Sequence, residues 1–241
     1  MDLGDRMKLY EKVSQINLTR RMPCIIRIDG KAFHTFTSGM NKPWDIRLVN
    51  LFLESIIFLC ENIQGLKIAY WQSDEVSLLL TDYEKITTDA WFDKNVQKMV
   101  SVSASLITAK FNRLLFRDLF FTEERYCIPV MFDSRVFILP KEEVCNYFIW
   151  RQQDAERNSI QGLAQANFPH KQLLNLSCDK LQDKLFLEKG ISWNNCATWQ
   201  KRGACVVKEY YEKDGATRSK WIVDWEIPIF TKDREYIERY I

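Results

Sequence analysis

Two aspartates in short turn contexts carry the strongest chemical signal in this chain. Asp29 precedes Gly30 at the end of the run CIIRID (24–29), and Asp74 lies in Ser73-Asp74-Glu75 between two further apolar runs. A hard cation such as Mg²⁺ prefers oxygen ligands and keeps several waters, so one or two Asp, a backbone carbonyl and substrate phosphates suffice to hold it. Two such ions bracket an in-line phosphoryl displacement, one activating the attacking oxygen and the other stabilising the leaving group. Gly30 lacks a Cβ, which allows close approach of main chain and phosphate. Taken one at a time, Asp29-Gly30 also reads as a strand-ending turn and 73–75 as a solvated hairpin tip, because Asp, Ser and Gly are ordinary turn residues. Chemistry requires a fold that brings the two carboxylates together.

The apolar periodicity supplies such a fold. Cys24 to Asp29, bounded by Pro23 and Gly30, reads as a central strand with Asp29 at its carboxyl end. Leu48, Leu51, Phe52, Ile56, Leu59 and Ile63 fall at helical spacing and predict a helix from about Asp45 to Asn62. Leu66 to Gln72 and Glu75 to Leu80 read as two strands joined by a tight turn at Ser73-Asp74. Ala90 to Phe116 gives a second long helix, and Val130 to Leu139 a further strand. Strand, helix, strand, strand, helix, strand is the order of the split βαβ or ferredoxin-like unit, in which the first strand lies beside the hairpin strands. Asp29 and Asp74 then converge at one end of the sheet.

The expected fold is therefore α+β, with a catalytic domain over 1–140 and an appendage over 141–241 packed on it. In the appendage, 141–168 and 179–189 read as helices, and 204–211 with 218–226 as a small ribbon turning at Lys213-Asp214-Gly215. Leu3 to Ile16 reads as a polar amphipathic helix. Composition sets the outer bounds: 46% hydrophobic and 27% charged residues, with only 8 Gly and 6 Pro in 241, exclude a disordered or collagenous chain. Seven scattered Cys without a C-x-x-C pair, and only two His, argue for buried thiols of a reducing compartment rather than bridges or zinc ligands. Neither a signal peptide nor a membrane span is expected, and a cytoplasmic location follows. The net charge of +2 mixes 34 basic with 32 acidic residues along the whole chain, so any nucleic-acid footprint must be assembled by folding.

Five stretches, IIRIDGKAFHTF (25–36), MNKPWD (40–45), AYWQSDEVSLLL (69–80), FDSRVFILP (132–140) and WRQQDAERNS (150–159), resemble the tRNA-His guanylyltransferase superfamily. The resemblance covers most of residues 1–205. It implies a polymerase-palm core, nucleotide addition to the 5′ end of tRNA, ATP and GTP or other NTPs as substrates, and a homotetramer built as a dimer of dimers. It further implies that Asp29, the Gly30 carbonyl and Asp74 hold two Mg²⁺ ions, and that Lys31, Ala32, Phe33, His34 and Ser73 contact a nucleoside triphosphate. Eukaryotic tRNA-His enzymes carry a His-Ile-Asn-Asn segment where Ala155-Glu156-Arg157-Asn158-Ser159 stands here. That departure resembles the Thg-like branch, which rebuilds truncated 5′ ends on the opposite strand as template.

The remaining candidates each have a plainer alternative. Glu75 alternates away from Asp74, so a secondary role or an ion pair is expected of it rather than direct metal binding. Lys42 and Arg27 suit phosphate or RNA because both stay charged, and either would also serve as a surface cation. His34 stands among Phe33 and Phe36, where a satisfied core histidine is the alternative. Arg202, in Lys201-Arg202-Gly203, matches a triphosphate-contacting segment of the family, and a turn leading into a strand would look the same. Arg151, Asp154 and Asn158 share one helical face. Arg151, Arg157, Asn158 and Lys171 are the expected RNA contacts, against helix-helix ion pairs or solvated cations. A palm-fold nucleotide cyclase and a tRNA-binding protein without turnover are the competing functions; intact Asp29, Gly30 and Asp74 argue against the second.

Overall fold

The computed structural model describes residues 1–117 and 129–241. The described elements are α1 (Leu3–Val13), β1 (Cys24–Gly30), α2 (Phe33–Phe36), α3 (Ile46–Asn62), β2 (Leu66–Gln72), β3 (Glu75–Leu80), α4 (Val96–Arg117), β4 (Phe132–Ile138), α5 (Lys141–Asn167), α6 (Cys178–Lys189), α7 (Thr198–Arg202), β5 (Ala204–Lys213), β6 (Ala216–Asp224) and α8 (Glu235–Glu238). Six strands form one antiparallel sheet in the order β4-β1-β3-β2-β5-β6. Its first four strands, with α3 and α4 as crossovers, are the expected ferredoxin-like unit.

The strands read as nearly unbroken apolar runs because both faces of the sheet are covered. On one face, Ile26, Ile28, Ala69, Trp71, Val76 and Leu78 pack against α3 and α4 through Phe52, Ile56, Leu59, Ile107 and Phe111. On the other, Ile25, Ile68, Tyr70, Leu79 and Cys205 pack against Val144, Tyr147 and Phe148 of α5 and against the C-terminal Ile227, Phe230 and Ile237. Each fully buried Leu, Ile or Phe side chain contributes roughly 1.5–3 kcal/mol, so the central strands form a rigid base for whatever their ends carry.

Two differences from the sequence reading have clear physical causes. The expected helix over 90–116 is interrupted: a 3-10 turn spans Trp91–Lys94, with positive φ at Phe92, Asp93 and Lys94, and α4 starts only at Val96. Lys94 is what bends the chain there. Its buried ammonium pairs with Asp82 at 3.0 Å and donates to the carbonyls of Thr19 and Met22 at 3.0 and 2.7 Å. The C-terminal ribbon, for its part, continues the main sheet, with β5 paired to β2 from Ile68↔Val207 to Trp71↔Ala204. Among the described residues no helix is long and apolar enough to cross a membrane, and the six cysteines among them are free.

Candidate active site

The site forms where β1 ends beside the β2–β3 turn. Asp29 faces Glu75 across one ladder and Asp133 across the other. The Gly30 amide donates to the Asp74 carbonyl at 3.1 Å, so strand end and hairpin tip are tied by main chain. A Cβ at residue 30 would lie 2.0 Å from the Phe33 ring. Phe33 cannot yield, because Phe36, Phe52, Phe111 and Phe132 surround it with ring centroids 5.3 to 5.9 Å away. Glycine at this position is thus a packing requirement. The turn places Ser73 at φ 52°, and the Ser73 carbonyl accepts a 2.8 Å bond from the Trp71 indole.

Two cavities meet at this turn. The larger, about 420 Å³, is walled by Trp44, Trp71 and Trp199 together with His34, Lys42 and Lys201. The smaller, about 370 Å³, is polar and contains Arg27, Asp29, Glu75, Trp150, Arg151 and Asp154. Gln72, Ser73, Asp74 and Asn158 line both. Aromatic walls with a few cations suit a flat base and its phosphates, and the larger cavity is of ligand-binding size.

The carboxylates at the junction differ in how they are matched. Burial pushes the Asp74 carboxyl up from its ordinary value, and the nearby charge of Asp29 pushes it further. Burial likewise raises Asp29, with Asp133 adding to it and Arg135 and Arg27 opposing. Neither has an ion-pair partner among the described residues. Two crowded, unpaired carboxylates favour a cation between them. Among those residues no group of three or more His, Cys, Asp or Glu gathers as a metal cluster. Two Asp plus a main-chain carbonyl is a sparse all-oxygen donor set, which fits an ion that keeps waters and substrate oxygens in its shell. Glu75 is different: Arg151 Nε bonds its Oε1 at 2.7 Å. Burial still raises its carboxyl, and Arg151 works against that rise.

Comparison with known proteins decides the family. The profile described as Thg1, tRNAHis guanylyltransferase, matches residues 4–140. The tRNA(His) guanylyltransferase of Debaryomyces hansenii is 32% identical over 213 residues, covering 81% of this chain and 77% of that protein. The chain belongs to the tRNAHis guanylyltransferase family. Among solved structures, a bacterial tRNA(His) guanylyltransferase (Thg1)-like protein in complex with ATP is 51% identical, covers 100% of this chain and 99% of that one, and superposes with a TM-score of 0.91. A bacterial protein of the same description in complex with GTP is 49% identical over 99% of this chain and 98% of that one, with a TM-score of 0.85. The α+β palm-like core and a nucleotidyltransferase of this family are thereby shown.

Within the guanylyltransferase frame, the residues expected at the site are placed unequally. Asp29, Gly30, Ser73, Asp74 and Glu75 come together at the turn, and Phe33, His34 and Lys42 line the larger cavity. Ala32, at φ 55°, starts α2. Lys31 donates its amide to the Met131 carbonyl at 2.9 Å and lies outside both cavity walls. Lys201 and Gly203 line the larger cavity, whereas Arg202 turns away, its Nε 3.9 Å from Glu156 and its carbonyl accepting from Tyr70 at 2.7 Å.

Of the expected RNA contacts, Arg27 lies over the Trp150 ring at 5.7 Å with its Nε 3.9 Å from Glu75. Arg151 is buried and spans Glu75 and Asp154. Arg157 is exposed and pairs with Asp154, to which Asn158 also donates. Lys171 is exposed on the short turn His170–Gln172, away from both cavities. Trp44, Trp71, Trp199 and Gln72 were missed as wall residues, although the first three are large side chains immediately within or beside the matched motifs.

Proposed function

We propose that this protein adds nucleotides to the 5′ end of tRNA in the 3′-to-5′ direction, using the opposite strand as template, and so repairs 5′-truncated tRNA. The observation that carries this reading is the meeting of an aromatic-walled cavity with a carboxylate-lined one at Asp74. A triphosphate laid with its base against the tryptophans has its phosphates at Asp29 and Asp74, and the second cavity leaves room for an RNA end beside them. Asp29, Asp74 and the Gly30 carbonyl would hold Mg²⁺, which when bound supplies charge stabilisation of the transferring phosphoryl group.

Lys42 and Lys201 supply positive charge along the cavity wall, suited to a triphosphate. The tryptophans exclude water around the base. In the proposed sequence, ATP first activates a 5′-monophosphate by adenylyl transfer, releasing pyrophosphate. The 3′-hydroxyl of an incoming NTP then attacks that phosphorus and AMP leaves. Similarity to proteins solved with ATP and with GTP supports this pair of nucleotides. Templating is supported by Ala155 to Ser159 in place of the eukaryotic His-Ile-Asn-Asn segment.

We place the enzyme in the cytoplasm, where reduced cysteines and tRNA coincide, as a homotetramer that shares one tRNA between subunits. Helix α1 buries none of its residues and leaves Leu3, Met7 and Tyr10 exposed, a surface open to a second copy. The deciding experiment incubates 5′-truncated tRNA with Mg²⁺, ATP and labelled NTPs while the template base is varied. The nucleotide that enters is expected to follow the base opposite. Addition of G whatever the base would replace this reading with the extra 5′ G of tRNA-His, and a labelled cyclic product without RNA would replace it with a cyclase.

A further inference from the structure

Two buried glutamines on the α5 side of the sheet are treated oppositely by the fold. Gln152 is saturated: its Nε2 donates to the Pro228 carbonyl at 2.9 Å and its Oε1 accepts from the Phe230 amide at 2.8 Å. Gln72 is 6% exposed, and its carboxamide has no hydrogen-bond partner among the described residues. Gln72 is not among the residues with a sealed, unpartnered polar atom, so its amide opens into the cavities it lines and is available to whatever enters them. Gln72 also stands at the junction, lining both cavities with Ser73, Asp74 and Asn158. Its strand position is fixed opposite Glu75 in the β2–β3 ladder.

We propose that the Gln72 carboxamide hydrogen-bonds a ribose hydroxyl of the nucleotide and is a sugar-specificity residue of this enzyme. The inference rests on the nucleotide reading of the two cavities given above. With the base against Trp44, Trp71 and Trp199 and the phosphates at Asp29 and Asp74, the sugar is the part that crosses the junction. A neutral amide offers two donors and an acceptor, and a hydroxyl both donates and accepts. Phosphate is a poor match for a neutral amide, which carries no charge to offset it, while Lys42 and Lys201 are available elsewhere on the wall. Asn158, the other amide at the junction, already donates to Asp154 at 3.3 Å.

The test compares binding of GTP, 2′-deoxy-GTP and 3′-deoxy-GTP by calorimetry, with Mg²⁺ and without RNA, for the full chain and for Gln72→Met. One neutral hydrogen bond corresponds to about three- to tenfold in affinity, so the wild type should prefer GTP over one deoxy analogue by about that factor. The analogue that is disfavoured identifies the hydroxyl. In Gln72→Met the preference should collapse to below twofold while the affinity for that analogue stays unchanged. Gln72→Asn, which withdraws the amide by one methylene and keeps a polar interior, should at least halve the preference and serves if the Met variant does not fold.

Equal loss for all three nucleotides, a preference that survives both substitutions, or a wild type blind to the sugar would each overturn the assignment. A wild type that binds no nucleotide at all would overturn the nucleotide reading itself, and this inference with it.

Discussion

Asp74 and Glu75 are neighbours in sequence, yet the structure treats them as opposites. Glu75 is buried on the α5 face and receives the Arg151 guanidinium, which also reaches Asp154 at 2.6 Å. Asp74 is raised by burial and by Asp29, and no guanidinium answers it. The same division recurs in the larger cavity, where Asp45 is held by Arg47 through bonds of 3.0 and 2.7 Å. Carboxylates matched inside the protein hold the scaffold. The pair left unmatched, Asp29 and Asp74, is the part of the acidic set that needs something from outside.

That contrast is broken most sharply at the unmatched pair. Asp29→Ala or Asp74→Ala should lower nucleotide addition by about 10³-fold or more, several kcal/mol of transition-state stabilisation, with tRNA binding nearly intact. Near-normal turnover in either variant would remove the assignment. Stability should move the other way: in EDTA at neutral pH, Asp74→Asn should melt above wild type, because it deletes a buried charge crowded by another. Each kcal/mol relieved corresponds to about 2–4 °C in a chain of this size. A lower melting temperature for the Asn variant would mean that Asp74 makes a favourable bond within the fold.

At the matched pair the expected loss is structural. Arg151→Met takes the bonded guanidinium from the buried Glu75 and leaves it only Arg27 at 3.9 Å, whereas Asp154 keeps Arg157; breaking a buried pair from one side costs about 3–5 kcal/mol. Denaturant unfolding should show that loss, and Arg151→Met with Glu75→Gln should recover a good part of it, since the uncompensated charge is then gone. If the double variant is as unstable as the sum of the two single ones, the pair does not act as a unit. This outcome also bears on Arg151 as an RNA contact: a guanidinium already bonded at both ends is committed to holding the hairpin and α5 together.

How much of this was legible in the sequence depended on how local each cause is. The hairpin bounds Leu66–Gln72 and Glu75–Leu80 were readable to the residue, because two apolar runs flank a two-residue polar turn. The convergence of Asp29 with Asp74 followed from element order alone. The bond between Glu75 and Arg151 was not readable, since the partners lie far apart in the chain and any of several arginines fits the pattern. The interruption at 92–94 was hidden for the same reason: Lys94 is bent inward by Asp82 and by carbonyls of the 19–22 segment. The place of β5 beside β2 was unreadable because nothing in its composition says which strand it will meet. Gln72 went unnoticed because the unmet bonds of an amide leave no mark on composition.

The smallest effect is expected at Asp45, where the matched arrangement is ionic and helical at once. Its side chain caps α3 by accepting from the Arg47 amide at 3.0 Å and pairs with the Arg47 guanidinium, which together with the Asn41 amide holds its carboxyl down at about 2, against burial. A folded-state value below the unfolded one means stability that is present above the unfolded value and lost as pH falls through the folded one. The shift corresponds to about 2 kcal/mol at neutral pH, of which roughly half should remain at pH 3. Asp45→Asn separates the ionic part from the cap, because Asn is as good as Asp at a helix N-cap. The variant should therefore be less stable than wild type by about that amount at pH 7, with the gap closing steadily between pH 4 and 2. Urea midpoints at pH 7 and pH 3 read it directly. A gap of the same size at both pH values would show that the cap geometry, and not the charge of Asp45, is what Arg47 sustains.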